Sequence, residues 1–351
     1  MPDAFPMVLH RAASQRQAGE ITMRVLRTKS ASPGASTAGA KLALGALSIG
    51  LAACSAAAPQ PAASQSLNGP SSSRAAPATA SAEARTPNVV ELPALQAYFA
   101  EARATGAIAL YDSAKGKLEC SDLTLCDRAV LPASTFKIPS ALIAIEDQVV
   151  EDSETLLRWD GQPRSVPEWN QDQTLRAAIR VSCVPCFQRI ARSIGPERMQ
   201  DWVTRFGYGN HDTRGGIDRF WLTGELRISP LQQIDFLRRL EGGKLPVSAR
   251  TSEIVLDMLA LDVGREHVLR GKTGLTRPPE SQTLVGWFVG WVELAERRVF
   301  FATLIDGVAP DVDVVPLRRR LTEHILHAQG ALPDEGRAPP PAISGGGTHS
   351  L

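Results

Sequence analysis

The sequence has no basic field of the kind that binds nucleic acid and no acidic block, since 38 Lys and Arg nearly balance 37 Asp and Glu. Charge therefore gives no reason to expect a nucleic-acid partner and indicates no other. The apolar run at residues 42–53 is too short to span a bilayer. The hydrophobic content of 43% is that of a soluble globular protein.

Two common hydrolase signatures are also missing. There is no Gly-x-Ser-x-Gly elbow, which argues against a Ser-His-Asp hydrolase. His324 and His327 have the spacing of a metal pair, but they lie beside Arg and Glu with no third ligand nearby in the sequence. We therefore expect no metal, and the catalytic groups have to be sought among the serines and lysines.

The N-terminal region reads as targeting sequence. Residues 1–22 show no clear pattern and are interpreted as an upstream extension, whereas residues 23–54 combine a short apolar run with preceding basic residues, namely Arg24, Arg27, Lys29 and Lys41. The run ends in Leu51-Ala52-Ala53-Cys54, which resembles a lipobox with Cys54 as the lipidated residue. Ordinary signal cleavage nearby is the alternative. Either reading predicts a periplasmic protein, and the first adds a lipid anchor to the membrane.

Two segments have the composition of disordered chain. Residues 55–87 consist almost entirely of Ala, Pro, Ser, Gln and Thr, and residues 331–351 contain a triple proline and a triple glycine. Such segments bury too little apolar surface to offset the entropy of ordering them. The folded domain is therefore predicted over residues 88–330, with the first segment as a tether.

Hydrophobic periodicity predicts an α+β fold within that domain. The predicted elements are a helix over 92–104, strands over 106–111 and 117–120, a largely helical stretch over 140–261, a hairpin of strands 283–294 and 297–306, and a closing helix over 315–329. Strands at both ends around a helical middle indicate an antiparallel sheet flanked by helices, with a helical subdomain.

Ser134 and Lys137 stand three residues apart at the predicted opening of a helix, where they would share a face within hydrogen-bonding range. The flanking Phe136, Ile138 and Pro139 predict that the lysine is buried, which lowers a lysine pKa and produces the neutral amine that a base requires. The alternative is a helix N-cap serine followed by a solvated lysine.

Two further motifs follow in order. They are Ser182-Cys183-Val184, in the helical region, and Lys272-Thr273-Gly274, which is expected just before the strand hairpin. A lysine-threonine-glycine backbone at that place would line a cleft opposite the nucleophile helix. This order of motifs is typical of penicillin-recognising serine enzymes.

The cysteines allow more than one reading. Cys120 and Cys126 flank a short polar loop across which a disulfide is sterically possible. Cys183-Val184-Pro185-Cys186 has the shape of a thioredoxin-like redox motif. Such a motif should follow a strand in a βαβ unit, however, and residues 175–180 upstream of it are predicted to be helical.

The chain resembles the class D β-lactamases, the oxacillinase family, over residues 90–328. The motifs that carry the resemblance are Ser134-Thr135-Phe136-Lys137, Ser182-Cys183-Val184, Tyr208-Gly209-Asn210, Gly215 to Leu222, Lys272-Thr273-Gly274 and Gly286 to Glu293. The resemblance implies the fold shared by serine β-lactamases and penicillin-binding transpeptidases. It also implies hydrolysis of β-lactam antibiotics as the activity.

The same resemblance assigns the acylation chemistry. Ser134 would attack the lactam carbonyl, and Lys137 would carry a carbamate formed from carbon dioxide, acting as the general base with no other cofactor. Trp221 matches the tryptophan whose indole N–H holds that carbamate. Val184 and Leu222 match its apolar cover, although Leu222 is equally readable as plain core.

The remaining roles concern proton delivery and substrate binding. Ser182 would protonate the departing lactam nitrogen, helped by the charge of Lys272, and the backbone N–H groups of Ser134 and Leu275 would form the oxyanion hole. The substrate carboxylate would bind to Lys272-Thr273-Gly274 together with Arg318, whereas Arg319 and Arg320 are interpreted as a solvated face. Tyr208 and Asn210 are interpreted as architectural.

The sequence departs from the family in two places. Leu275 replaces a frequent aromatic residue, and Phe288 stands where a second tryptophan is common. Both departures affect the expected substrate preference rather than the reaction, and the oligomeric state is not indicated.

Two other functions share these motifs. A β-lactam sensor domain keeps its acyl adduct because deacylation is disabled, but Trp221 argues against that reading. A peptidoglycan transpeptidase or carboxypeptidase uses the same nucleophile and lysine, but its second motif is more often Ser-x-Asn than Ser-x-Val.

Overall fold

The computed structural model describes residues 89–279, 281 and 283–333 of the 351. These residues all fall within one compact unit. The predicted upstream extension, signal segment, tether and Cys54 lie outside the described residues, as does most of the predicted C-terminal tail. No described helix combines the length and the apolar character needed to cross a bilayer.

A seven-stranded sheet forms the centre of the described unit. Its strand order is β1-β3-β2-β9-β8-β7-β6, and every neighbouring pair is antiparallel except β1 with β3. The strands are β1 (Val89–Glu91), β2 (Ala104–Asp112), β3 (Lys117–Cys120), β6 (Ala260–Val263), β7 (His267–Thr276), β8 (Val285–Leu294) and β9 (Arg298–Val308). Two short strands, β4 (Leu156–Leu157) and β5 (Gln173–Thr174), pair separately.

Helices account for most of the remaining regular structure. They are α1 (Gln96–Glu101), α2 (Leu123–Asp127), α3 (Lys137–Glu146), α4 (Leu175–Arg180), α5 (Val184–Ile194), α6 (Pro196–Arg205), α7 (Pro230–Glu241), α8 (Ala249–Met258) and α9 (Val314–Ala328). Short 3₁₀ turns occur at Pro93–Leu95, Ala133–Phe136 and Pro167–Trp169.

The sheet is buried on both faces because β8 and β9 are apolar at nearly every position. Trp287 and Val289 face a core shared with α3 and α5 to α8, whereas Phe288 and Phe301 face a second core shared with α1 and α9. A strand with two apolar faces has to be covered on both sides, which places helices on each side of the sheet. The predicted α+β architecture is therefore confirmed.

Individual elements follow the predictions unequally. The hairpin of β8 and β9 and the closing helix α9 are confirmed, but the helix predicted over 92–104 is shorter, because Arg103 adopts a left-handed φ of 54° and β2 begins at Ala104. Lys272-Thr273-Gly274 precede the hairpin as predicted, but the sequence interpretation assigned no strand to them. These residues lie inside β7, a further strand that pairs with β8 along its whole length.

Candidate active site

Ser134 and Lys137 lie at the junction of a 3₁₀ turn and helix α3. Ser134 belongs to the 3₁₀ turn Ala133–Phe136, and α3 begins at Lys137. Pro139 lies in the first turn of α3, where its missing N–H breaks no helical hydrogen bond. The Lys137 Nζ donates a hydrogen bond of 2.8 Å to the Ser134 Oγ. Ala133, just before the serine, has a φ of 51°, and its N–H bonds to the carbonyl of Trp221. The turn is therefore held by Trp221 through its backbone and by Lys137 through the Ser134 side chain.

Lys137 is almost completely enclosed, with 1% of its surface exposed. Burial lowers its pKa to about 7, because the charged ammonium loses its solvation. Its Nζ lies 5.3 Å from the centre of the Phe187 ring, and no carboxylate of the described residues forms an ion pair with it. A substantial fraction of this side chain is therefore a neutral amine near neutral pH.

Trp221 lies beside this pair and carries an unsatisfied donor. Its ring stacks on Phe136, with the ring centres 5.5 Å apart, and it is 1% exposed. The indole N–H is buried and has no hydrogen-bond partner within the described part of the chain. Buried polar groups are rarely left unpaired, so this donor has the character of a binding group. Val184, the first residue of α5, and Leu222, which follows Trp221 in the chain, are both half-buried.

Ser182 and Lys272 form a second hydroxyl–amine pair. Lys272, on β7, donates from its Nζ to the Ser182 Oγ and, at 2.9 Å, to the Thr273 carbonyl oxygen. Burial lowers the Lys272 pKa well below its ordinary value, and the nearby charges of Lys137 and Arg318 lower it further. The two serine–lysine pairs therefore lie in one electrostatically coupled region.

The part of strand β7 that is not paired with β6 approaches the turn Ala133–Phe136, which carries Ser134 and is called the nucleophile turn below. β6 pairs with β7 only as far as Arg270, so Lys272-Thr273-Gly274 lie beyond that pairing. A Cβ at Gly274 would lie 3.1 Å from the Pro132 carbonyl oxygen, which shows how closely the strand passes the turn. Leu275 follows on the same strand. Backbone N–H groups of the turn and of β7 can therefore converge on a substrate carbonyl.

Arg318 projects from α9 onto the same strand. Its Nη1 donates to the Gly274 carbonyl oxygen at 2.6 Å, and its buried Nε has no partner among the described residues. Burial lowers its pKa to about 10, partly offset by Asp313. Arg319 is paired with Glu323 and lines a depression with Lys272 and Thr273, whereas Arg320 is exposed. Of these three, Arg318 is the one that bonds to the Gly274 backbone.

The sequence interpretation missed the support behind the nucleophile turn. The Thr135 hydroxyl donates to the Pro132 carbonyl at 2.7 Å and accepts from the Gln233 amide of α7 at 2.9 Å. Gln233 also reaches the hydroxyl of the buried Tyr208, consistent with an architectural role for that residue. The sequence contains no local signal for this support, because Gln233 lies 98 positions from Thr135.

Both cysteine pairs are joined by disulfides in the described structure. Cys120 is bonded to Cys126, as the sequence allowed, and Cys183 is bonded to Cys186. The segment before Cys183 is helix α4, so no βαβ unit surrounds the second pair. The described residues contain no cluster of three metal-ligating side chains, and the His324 ring packs edge-on against Tyr98.

Comparisons with known proteins agree with this geometry. The family model of the penicillin-binding protein transpeptidase domain matches residues 99–320. The chain is 40% identical over 237 residues to the β-lactamase OXA-48 of Klebsiella pneumoniae, covering 68% of this chain and 88% of that protein. It is 39% identical over 235 residues to the β-lactamase OXA-10 of Pseudomonas aeruginosa, with coverages of 67% and 88%.

Solved structures lead to the same family. The class D β-lactamase YbXI from Nostoc superposes with a TM-score of 0.64 at 40% identity, covering 68% of this chain and 99% of that one. FUS-1 (OXA-85), a class D β-lactamase from Fusobacterium nucleatum, superposes with a TM-score of 0.66 at 31% identity, covering 69% and 100%. With its paired serines and lysines and these relatives, the chain belongs to the class D serine β-lactamases.

Proposed function

We propose that this enzyme hydrolyses β-lactams through an acyl-enzyme on Ser134, with Lys137, as its carbamate, serving as general base in both half-reactions. The observation that carries the proposal is the buried Lys137 amine, 2.8 Å from the Ser134 hydroxyl, beside the unpartnered indole N–H of Trp221. A positioned base contributes roughly 10²- to 10⁴-fold to a proton-transfer step.

The residues around Lys137 fit the addition of carbon dioxide. Carbamylation requires a neutral amine, which a pKa of about 7 supports. It creates a buried anion that requires donors, and the Trp221 N–H is one that nothing else in the described chain uses. When present, the carbamate supplies an anionic oxygen base in place of a basic nitrogen.

The steps of acylation follow from the hydrogen bonds of the site. Ser134 Oγ attacks the lactam carbonyl carbon while its proton leaves toward the Lys137 side chain. The N–H groups of Ser134 and Leu275 stabilise the oxygen that gains negative charge, and one such donor is typically worth about 3 kcal/mol. Ser182 then donates its proton to the lactam nitrogen, and its contact with Lys272 supplies a replacement.

The substrate carboxylate is assigned to Arg318, Thr273 and the Gly274 backbone. The Nε of Arg318, which has no partner among the described residues, and the positive charge that its guanidinium keeps near neutral pH favour an anion there. A guanidinium binds a carboxylate through two parallel N–H donors, a geometry that an ammonium does not offer.

A comparison of two tryptophan variants tests this proposal against a sensor that keeps its acyl adduct. Trp221→Phe removes the N–H donor at the site, so we expect slow deacylation and accumulation of penicilloyl-enzyme in the intact-protein mass spectrum. Trp291→Phe is the matched control. The buried indole N–H of Trp291 also has no partner among the described residues, but its ring stacks on Phe300 in the sheet. Deacylation of Trp221→Phe at the wild-type rate would contradict the proposed role of a Lys137 carbamate, held by Trp221, as the general base.

We also propose that residues 23–54 direct the chain to the periplasm and that Cys54 carries a lipid anchor. The basic and apolar pattern ending in Leu51-Ala52-Ala53-Cys54 supports this. Full-length chain expressed in a Gram-negative host should fractionate with membranes, and Cys54→Ser should release it. Recovery of the unaltered chain in the soluble periplasmic fraction would contradict the proposed lipid anchor on Cys54.

A further inference from the structure

The disulfide between Cys183 and Cys186 lies inside the catalytic Ser182-Cys183-Val184 motif. It closes the first turn of α5, where Cys183 is the N-cap residue and its Sγ accepts the backbone N–H of Cys186 at 3.2 Å. One end of the bridge is thus bonded to Ser182, which contacts Lys272. The other end precedes Phe187, whose ring contacts Lys137.

Ser182 has a backbone conformation that requires external support. Its φ of 54° is in the left-handed region, which a residue with a Cβ seldom adopts. On the N-terminal side, the N–H groups of Ser182 and Cys183 bond to carbonyls of α4, and the Trp169 indole N–H bonds to the Val181 carbonyl. On the C-terminal side, the disulfide supplies the covalent restraint. A strained residue persists only where its surroundings fix it.

We propose that the Cys183–Cys186 disulfide is a positioning element for Ser182, and that its reduction slows acylation and makes the enzyme sensitive to thiol reductants. The inference rests on the proposed proton transfer from Ser182. Without the bridge, the first turn of α5 loosens, Ser182 relaxes from its left-handed conformation, and its hydroxyl leaves the position set by Lys272. A displacement of about 1 Å at a reacting group is enough to cost roughly 10²-fold in rate.

The two cysteines of the bridge differ in solvent exposure, which decides which sulfur a reductant attacks. Cys183 is 0% exposed, whereas Cys186 is 5% exposed and borders a small surface depression that is also lined by Trp159, Arg164, Trp169, Pro185 and Arg189. A dithiol reductant therefore attacks the Cys186 Sγ, and the Cys183 Sγ leaves as a thiolate. The N-terminus of α5 stabilises that thiolate through the Cys186 N–H.

The reaction balances with the dithiol alone. Attack forms a mixed disulfide between Cys186 and the reductant and breaks the bond to Cys183. The second thiol of the reductant then displaces Cys186. The cysteine pair gains two electrons and two protons, and the dithiol becomes a cyclic disulfide. The motif is thus a redox-responsive part of a hydrolase rather than the centre of an oxidoreductase.

The test measures the pre-steady-state burst of nitrocefin acylation with substrate in excess, before and after treatment with dithiothreitol. Alkylation of free thiols and mass spectrometry establish which disulfide has been reduced. We expect the acylation rate constant to fall about tenfold or more with an unchanged burst amplitude, and to recover on reoxidation. Cys120→Ala/Cys126→Ala, which lacks the other disulfide, is the matched control and should keep the same sensitivity. Cys183→Ala/Cys186→Ala should be slow and insensitive.

Each other outcome overturns the inference. Unchanged acylation by wild-type enzyme with Cys183 and Cys186 reduced shows that the bridge does not position Ser182. A smaller burst amplitude with an unchanged rate constant shows that the bridge only preserves the folded fraction. Because these readings come from the wild-type chain, they stand even if the double alanine variant fails to fold. Absence of an acyl adduct from the mass spectrum of untreated enzyme, quenched during turnover, would instead contradict the acyl-enzyme itself.

Discussion

Lys137, Lys272 and Arg318 lie close enough to affect one another, and all three have a pKa below its ordinary value. Burial is the largest cause in each case, and mutual repulsion adds to it at Lys272. None of them forms an ion pair with a carboxylate of the described residues. The site is therefore prepared for anions, which a carboxylate-bearing substrate and a developing oxyanion both supply.

The lowered pKa of Lys137 predicts the acid side of the pH profile. Its folded-state pKa of about 7 means that the amine is neutral above this pH and gains a proton as the pH falls through it. Protonation removes both the base and the capacity to add carbon dioxide. We expect kcat/KM for nitrocefin to fall below pH about 7, and added bicarbonate to move that midpoint to lower pH. A flat profile down to pH 5 would contradict the assignment.

Arg318→Ala should weaken the binding of carboxylate-bearing lactams. Loss of a charge-assisted hydrogen bond costs about 1.5–3 kcal/mol, which is roughly a 10- to 150-fold increase in KM. Arg320→Ala is the control on the same helix, because the Arg320 side chain is exposed. Steady-state kinetics with penicillin G measures both. An equal KM in the two variants would show that a residue other than Arg318 binds the carboxylate.

At the residue scale, the sequence predicted what depends on local spacing and missed what depends on distant partners. The contact between Ser134 and Lys137 follows from a separation of three residues, and the burial of Lys137 follows from its apolar neighbours. The Gln233 amide that fixes Thr135 comes from α7, and Ser182 has a left-handed φ in a segment whose N–H groups bond to carbonyls of α4. Neither leaves a periodic pattern in the sequence.

Among the elements, the approach of β7 to the nucleophile turn decides whether the proposed oxyanion hole can form. Gly274→Ala adds a Cβ 3.1 Å from the Pro132 carbonyl oxygen and 3.2 Å from the Thr135 methyl carbon, so strand and turn have to move apart. We expect kcat to fall about tenfold, because the oxyanion donors lose their alignment.

A glycine on the neighbouring strand provides the control for this variant. In Gly286→Ala the new Cβ meets side-chain atoms of Val314, at 3.0 Å, and Ile305, away from the nucleophile turn. This variant should lose stability with little change in kcat. Thermal melts and steady-state kinetics distinguish the two effects, and a kcat equal to wild type in Gly274→Ala would contradict the proposed oxyanion geometry.

Strand β7 also shows why the sequence interpretation failed at one element. Its sequence contains two glycines and a buried lysine, so it carries neither strict alternation nor a continuous apolar run. Pairing with β8 makes it a strand, and that pairing is a tertiary interaction. The strands β8 and β9, which are apolar on both faces, were predicted correctly because their own composition determines burial.

For the whole molecule, the fold gathers groups that are far apart in the chain. Ser134 comes from the start of the helical region, Ser182 from its middle, Lys272 from β7 and Arg318 from the last helix. The sheet joins N-terminal strands to C-terminal ones, with β2 paired to β9. Order of motifs was readable in the sequence, whereas this strand order was not, since many pairings satisfy the same hydrophobic pattern.

The state of the Lys137 amine tests the central claim most directly. Protein should be degassed at pH about 6, returned to neutral pH without carbon dioxide, and then supplied with ¹³C-labelled bicarbonate while turnover and the ¹³C NMR spectrum are recorded. The account predicts loss of turnover, its recovery with bicarbonate, and a carbamate signal that is absent from Lys137→Ala. Full activity in the absence of carbon dioxide, with no carbamate signal from wild-type protein, would show that Lys137 acts as a free amine.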